Sequence, residues 1–376
     1  MMKKIIALLA VVAMFFALLP SCTVVNVTEV GTLNGESLLL EDYENYLRNA
    51  LQSAYNDLTD EQKALVKSET PDAEGEGVVE NFWDLTVTEE ETGAVITIAD
   101  KAKAEAFDNL VKYQIKVQKV AENEITLTDE DIAEVNSNLE YYNQMYMQYY
   151  GMSMKEFVEL SYGITYDEYV DVEKEGKLIS KMEEKYTEDF TADEEELRTV
   201  FNDEYVRVQH ILIKAVASED GTYSDEAMAE AKAKAETVIE ALKGGADFAS
   251  TRSAYTEDVD ADGAPNSPNG YTFNKENNSM VAPFSAEASA LEIGAFSETP
   301  VEVTMDQSGS YAGYHIVYRL DLDDAGFEEN REALETDAKD AYIESSVEEW
   351  IAASELVKDE ARLKKLNMKD YYNTES

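Results

Sequence analysis

Val206-Arg207-Val208-Gln209-His210-Ile211-Leu212-Ile213-Lys214 is an apolar run with one histidine set into it and a lysine closing it. Its β-branched residues favour a pleated strand. Period-2 alternation puts Val206, Val208, His210 and Leu212 on one face and Arg207, Gln209, Ile211 and Ile213 on the other. His210 therefore shares its face with apolar neighbours. The only other histidine, His315, lies 105 positions later in a second β-like run, Gly313-Tyr314-His315-Ile316-Val317-Tyr318-Arg319-Leu320.

Between these runs the pattern alternates helix, loop and strand. Ser224 precedes Asp225 and Glu226, a hydroxyl cap followed by acids at the positive end of a helix dipole. Met228, Ala231, Ala235, Val238 and Leu242 make that helix's apolar stripe, and Gly244-Gly245 ends it. Residues 257–270 are rich in Asp, Gly, Asn and Pro and read as a loop. The short run Gly270-Tyr271-Thr272-Phe273 follows, then the apolar pair Met280 and Phe284. This is an α+β pattern with a small antiparallel sheet.

Outward from this module the chain is helical. Towards the N-terminus, Thr128 with Asp131, Ser153 with Glu156, Thr165 with Glu168 and Thr191 with Glu194 each fit a hydroxyl-x-x-acid helix start. Ala106, Leu110, Ile115 and Val120 supply a packing stripe. Residues 41–58 form a further amphipathic helix with Tyr43, Tyr46, Leu47, Ala50, Leu51 and Ala54 on one stripe. Before it, Asn34-Gly35 is the dipeptide of a type I′ hairpin turn. Residues 68–98 read as an irregular insertion with two short β-like runs. Beyond the module, helical patterning runs from 327 to about 366, with Tyr342, Val347, Trp350, Ile351, Leu356 and Val357 as buried positions. The helical part thus draws on both ends of the chain. One segment has aromatics and methionines on every face: Tyr141-Tyr142-Asn143-Gln144-Met145-Tyr146-Met147-Gln148-Tyr149-Tyr150-Gly151-Met152-Ser153-Met154. It fits a helix buried on several sides, or a surface for unfolded polypeptide.

At 376 residues the chain suits two or three domains. Acidic residues number 79 against 31 basic, a formal net charge of −48 spread along the chain. That balance argues against nucleic-acid binding, which needs a basic surface, and fits solubility or a weak attraction for basic unfolded chains or divalent cations. Met1-Met2-Lys3-Lys4 followed by an apolar stretch over 5–19 has the form of a signal peptide, too short for a spanning helix. It leads into Leu19-Pro20-Ser21-Cys22, and Cys22 is the only cysteine.

Two resemblances follow from these residues. Leu19-Pro20-Ser21-Cys22 resembles the lipobox of bacterial lipoproteins, although Pro20 departs from the usual small or aliphatic residue. It implies cleavage after residue 21, diacylglyceryl and palmitoyl groups at Cys22, and anchoring on the extracytoplasmic side of the cell membrane without a spanning helix. Residues 206–214, Gly245-Ala246-Asp247-Phe248-Ala249, Met280-Val281-Ala282-Pro283-Phe284 and Gly313-Tyr314-His315-Ile316-Val317 resemble, in order, the signatures of parvulin-type peptidyl-prolyl isomerases. The helical flanks and the lipobox resemble the foldase lipoproteins of the PrsA type, with a SurA-like helical chaperone part. The implied organisation is a signal peptide over 1–21, a helical chaperone domain over 22–205, a parvulin-like domain over 206–321 inserted into it, and C-terminal helices over 322–376 that return to the first domain.

The parvulin resemblance assigns His210 and His315 to the paired histidines beneath the proline site. It places Asp258 where the family carries a cysteine or aspartate. Leu212, Met280 and Phe284 fall on the apolar walls of the proline pocket, and Thr304 at a pocket threonine. Two departures stand out. Ser267-Pro268-Asn269-Gly270-Tyr271 replaces a Gly-Gly-Asp-Leu-Gly stretch, and extra residues lie between Val301 and Gly313. After Lys214 the arginines of phosphate-directed parvulins are missing, so phosphorylated substrates are not expected.

The chemistry needs few special groups. Rotation about an amide C–N bond faces a barrier of roughly 18–20 kcal/mol from lost resonance and breaks no bond. No cofactor or metal is expected, and two histidines alone do not make a metal site. The implied activity is Xaa-Pro isomerisation by a foldase that holds unfolded or partly folded exported polypeptides. The competing reading is a holdase chaperone whose parvulin-like module is inactive. Whether the histidines act on substrate or only support Asp258 stays open, and a homodimer is as compatible with the sequence as a monomer.

Overall fold

The computed structural model describes residues 28–66, 79–89, 92–161, 164–219 and 221–372. The signal segment, Cys22 and residues 68–78 of the irregular insertion lie outside them. In chain order the elements are β1 (Glu29–Leu33), β2 (Glu36–Leu39), α1 (Leu40–Asn56), α2 (Asp60–Leu65), β3 (Thr86–Thr88), β4 (Val95–Thr97) and α3 (Ile98–Glu122). Next come α4 (Asp129–Tyr149), α5 (Met154–Ser161), α6 (Tyr166–Tyr186), α7 (Glu194–Glu204), β5 (Tyr205–Lys214), α8 (Asp225–Lys243) and α9 (Phe248–Tyr255). The last are β6 (Tyr271–Asn274), α10 (Ala282–Ala290), β7 (Val301–Val303), α11 (Met305–Ser308), β8 (Gly313–Leu320), α12 (Asp324–Ala352), β9 (Leu356–Lys358) and α13 (Glu360–Leu363).

The chain divides into two compact units, one built from residues up to Phe190 and from Ala341 on, the other from Thr191–Asp340. The fold is α+β, and every strand pair within its sheets is antiparallel.

In the first unit, Asn34 and Gly35 take positive φ (54° and 82°) and turn β1 into β2, as a type I′ hairpin needs. Tyr43, Leu47, Ala50 and Leu51 of α1 pack with Ala106, Phe107, Leu110 and Ile115 of α3 and with Ile343 and Val347 of α12. Both ends of the chain thus share one core. Thr128 and Thr165 form capping boxes with Asp131 and Glu168. Ser153 Oγ accepts from Glu156 N at 3.2 Å.

Three expectations for the helical flanks are corrected. Helix α7 is capped by Asp193, not Thr191: the Asp193 carboxylate accepts from the backbone N–H groups of both Glu195 and Glu196. The C-terminal helix stops at Ala352, and Leu356 and Val357, expected as buried helical positions, are exposed residues of β9. Strand β1 has a second edge to fill, and β9 pairs with it from Gly31↔Lys358 to Leu33↔Leu356. The strand's hydrogen bonds outweigh the helical pattern there. Tyr342 is also exposed, while Ile343 and Val347 turn inward.

The second unit centres on a four-stranded antiparallel sheet ordered β6-β5-β8-β7. The long β5–β8 ladder runs from Arg207↔Leu320 to Lys214↔Gly313. Gly313 is required at its end, since a Cβ there would lie 2.3 Å from the Ile213 carbonyl oxygen. One face of the ladder, Ile211, Ile213, Tyr314 and Ile316, packs on Ala231, Ala235, Val238, Ile239 and Leu242 of α8. The other, Val206, Val208 and Val317, packs on Phe273 and on Phe284 and Ala288 of α10. The compact unit reaches past 206–321 at both ends. Leu197 and Phe201 of α7 cluster with Phe327 and Leu334 of α12, and Arg198 and Arg331 lie 4.2 and 4.7 Å from the Phe327 ring centroid.

Candidate functional site

Alternation along β5 and β8 sends His210 and His315 to the same side of the sheet as Val206, Val208 and Val317. The register pairs His315 with Leu212 and His210 with Val317, so the histidines are diagonal neighbours. Both are buried. Their ring centroids lie 4.9 Å apart at 81°, an edge-to-face contact. Phe284 stands on both, 5.2 Å from His210 at 90° and 5.1 Å from His315 at 62°. Its place follows from α10, which starts at Ala282-Pro283, proline being well suited to a first helical turn.

Asp258 is brought to the pair by the edge of β5. Strand β6 covers only Tyr205 to Val208, so the rest of that edge is open to the 256–258 loop. Leu212 N donates to Thr256 Oγ1 at 3.1 Å, and Glu257 N to the Leu212 carbonyl at 2.8 Å. The Asp258 carboxylate then accepts from Asn266 Nδ2 at 2.7 Å and from the Tyr271 hydroxyl at 2.8 Å. His210 Nε2 lies 3.1 Å from Asp258 Oδ2. That nitrogen is close enough for electrostatic contact but lies off the line of a hydrogen bond. The Tyr271 ring is parallel to the His210 ring within 2° at 5.5 Å.

The electrostatics follow from this packing. Asp258 is held well below the usual carboxylate range, first by His210 and then by Asn266 and Tyr271, against the opposing effect of burial. His315 is pulled down to about 3 by burial and by His210, with Asp258 acting the other way. At neutral pH the site therefore presents a carboxylate and a neutral His315 imidazole. Burial raises the phenols of Tyr271 and Tyr311, so both remain protonated. The Tyr311 hydroxyl lies 2.9 Å from His315 Nε2.

The expected site residues separate into a group and an outlier. His210, His315 and Phe284 are in mutual ring contact, and Asp258 joins the group through His210. Met280 packs against the apolar cluster that contains Phe284, and Leu212 is buried across from His315. Thr304 is exposed at the start of α11, where its backbone N–H donates to Gln307 Oε1 at 2.9 Å. No contact among the described residues joins it to the histidines. The residues inserted before Gly313 form this turn, which lets Tyr311 reach His315. Cys22 lies outside the described residues.

Three further residues complete the arrangement and are not evident in the sequence. Tyr311 partners His315, and Tyr271 both stacks on His210 and holds Asp258. The third is Arg252, on α9, which is buried. Its Nε donates to the His210 carbonyl at 3.1 Å, and Nη2 to the carbonyls of Asn266 and, at 3.2 Å, Ser267. Burial lowers its pKa, and Tyr271 and Asp258 oppose that. It acts as a positioning residue, tying the strand under one histidine to the loop whose Asn266 holds Asp258. Arg207 Nε and Gln209 Nε2 secure the same loop through the carbonyls of Asn269, at 2.9 Å, and Pro268, at 2.7 Å. The stretch that departs from the family pattern is thus pinned by three side chains. A spacing signal for Arg252 was present, four residues into a helix capped by Asp247, but a helical arginine ordinarily reads as solvated.

Chemically the arrangement sets half-buried Met280 and the buried Phe284 in one apolar cluster, with a carboxylate, Asp258, on the His210 that Phe284 touches. Among the described residues no cluster of three His, Cys, Asp or Glu side chains is placed to hold a metal ion.

Residues 180–318 match the family model of the PPIC-type PPIase domain. The Foldase protein PrsA of Caldanaerobacter subterraneus subsp. tengcongensis is 25% identical over 268 residues, spanning 69% of this chain and 71% of that protein. Among solved structures, foldase protein PrsA from Streptococcus pneumoniae is 20% identical, covering 72% of this chain and 93% of its own, with a TM-score of 0.34. Peptidylprolyl isomerase (PrsA) from Bacillus cereus is 22% identical, covering 72% and 90%, with a TM-score of 0.27. The matched family segment spans His210, Asp258 and His315.

Proposed function

Given a chain that carries a parvulin-type domain and is similar to PrsA foldases, we propose that it catalyses cis–trans isomerisation of Xaa-Pro bonds in exported polypeptides. The observation that carries this reading is the contact group of Asp258, His210, His315 and Phe284 inside the matched segment. The apolar wall of Phe284, Met280 and Leu212 takes the proline ring. Asp258, ionised beside the ring, stabilises the polarised, twisted amide, and the histidines support it from below. No bond is made or broken, so the rate gain rests on a preorganised low-polarity site acting on a barrier of about 18–20 kcal/mol.

The rest of the proposal concerns place and partners. Cys22 carries diacylglyceryl and acyl groups that hold the protein to the outer side of the cell membrane. No helix among the described residues is long and apolar enough to cross one. The helical unit holds unfolded or partly folded clients while the second unit works on their prolines. Mass spectrometry of membrane-fraction protein tests the anchor: diacylglyceryl mass on Cys22 is expected, and an unmodified N-terminus elsewhere would remove it.

The experiment for the enzyme is isomerisation of an Xaa-Pro tetrapeptide, followed by NMR exchange, with the chain from Thr23 on and with Asp258→Ala. Acceleration by the parent and a loss of roughly 100-fold in kcat/KM in the variant are expected. One observation favours a second reading, a holdase with a silent isomerase module: Asn266 and Tyr271 already bond the two oxygens of Asp258. No acceleration over buffer, with aggregation suppression retained, would select that reading.

A further inference from the structure

The C-terminal half of α4 buries none of its side chains among the described residues and meets α5 only at its end, through Asn143 and Tyr146. Val135 and Leu139 are its last buried residues, and none between 140 and 149 is buried. In their place the helix presents Tyr141 at 64% exposure, Tyr149 at 71% and, at its cap, Tyr150 at 66%, with Tyr142 and Met147 also exposed. Leu160 of the adjoining α5 is 78% exposed. Tyr146 is held against Phe157 of α5 at 4.5 Å, and Tyr150 lies 5.3 Å from Tyr146, so these rings sit on a built helical corner. A concentration of exposed aromatic side chains on one short stretch of this kind marks an interaction site.

The charge around the corner says what it takes. Residues 129–172 hold ten acidic residues against one lysine, Lys155, which is itself paired with Glu159. Glu134 and Asp131 are met by Lys177 and Lys181 further along α6. Glu140, beside Tyr141, has no ion pair among the described residues. A second copy of this chain would bring another −48 against this surface, and an anionic membrane would be repelled likewise. An apolar segment carrying lysine or arginine meets both features at once, burying its apolar side chains on the tyrosines, its cations facing the carboxylates.

We infer that the exposed tyrosine corner of α4 and α5 is a docking surface for unfolded polypeptide segments that combine apolar residues with net positive charge. The inference rests on the client-holding part of the proposed function and assigns that function a surface and a charge preference.

The test uses two unstructured, proline-free peptides of about fifteen residues with identical apolar content, one with lysines and one with glutamates at the same positions. Binding to the full chain is read by fluorescence anisotropy at about 50 and about 300 mM salt. The lysine peptide is expected to bind at least about tenfold tighter at low salt and to lose most of that advantage at high salt. Tyr141→Ser, Tyr149→Ser and Tyr150→Ser together should weaken it by about tenfold, with the far-UV CD melt unchanged because all three side chains are exposed. Equal affinity for both peptides would overturn the inference, as would binding that survives the triple substitution. So would a sedimentation dimer, or adsorption to neutral phosphatidylcholine vesicles, that the triple substitution abolishes; each would assign the corner to another occupant. Binding of neither peptide would remove the client-holding reading too, while tetrapeptide isomerisation by the same protein reports on the enzyme separately.

Discussion

On one face of the β5–β8 ladder, Ile211, Ile213, Tyr314 and Ile316 meet the apolar stripe of α8; on the other, two histidines stand edge to face beneath Asp258 and Phe284. The same two strands and the same register build both. The apolar face is simple to satisfy, since burial of aliphatic side chains needs no directional partner. The histidine face needs Tyr311, Tyr271, Asn266 and Arg252 to complete it, and among the described residues His210 Nδ1 and His315 Nδ1 still find no hydrogen bond. Stability resides on one side of the sheet, and unsatisfied polar capacity, which a substrate site can use, on the other.

Substitutions that separate the two faces sharpen this contrast. The largest effect is expected from Ile211→Ala, a fully buried aliphatic truncation that should cost about 2–5 kcal/mol in chemical denaturation. The tetrapeptide activity of the remaining folded protein should stay close to the parent value. An activity loss matching that of Asp258→Ala would break the division between the faces.

Acid should act through the histidine face. His315 has a folded pKa of about 3 against an ordinary value near 6.5, so between these values the unfolded chain binds more protons than the folded one. Stability contributed by neutral His315 is complete above about pH 6.5 and is lost as pH falls towards 3, on the order of a few kcal/mol. Asp258, also depressed, adds to the loss only below the ordinary carboxylate range. Melting curves across this range should slope downward with acid, and His315→Phe should flatten the part between pH 6.5 and 4. An unchanged slope would place the titration elsewhere.

Arg252→Met should cost about 1–3 kcal/mol, because it strips the donor from the carbonyls of His210, Asn266 and Ser267 while keeping the stem. As a positioning residue it should lower kcat more than it raises KM, with partial recovery in Arg252→Lys; a variant altered in stability alone would reduce Arg252 to packing. The smallest change is expected from Tyr311→Phe, about 1 kcal/mol for one hydrogen bond. Its signature is a shift in the 15N resonances of the His315 ring, and unaltered resonances would mean the hydroxyl does not set its tautomer.

Much of this is legible in the sequence. Alternation in 206–214 assigns every side chain of β5 to its face, because a strand's side-chain period is two whatever it pairs with. Asn34-Gly35, Thr128, Thr165 and Ser224 mark their turn and caps for an equally local reason: the partner group is within four residues. The misreadings share the opposite property. Leu356 and Val357 look helical until β1, more than three hundred residues earlier, offers them an edge. Thr304, which the resemblance assigns to the pocket, stands exposed at the start of the inserted turn, and that turn brings Tyr311 to His315.

What the sequence determined by itself is therefore the local and periodic part: the α+β class, the two histidine strands, the faces of the helices, the acidic surface and the order of motifs between 206 and 317. What the tertiary structure alone decided is who meets whom. It brought Asp258 and Tyr271 to His210, placed Arg252 under the loop, and left Tyr141, Tyr142 and Tyr149 of α4 exposed. Those outcomes depend on which backbone edges and which buried carbonyls remain open after the sheet has paired, and no local pattern carries that information.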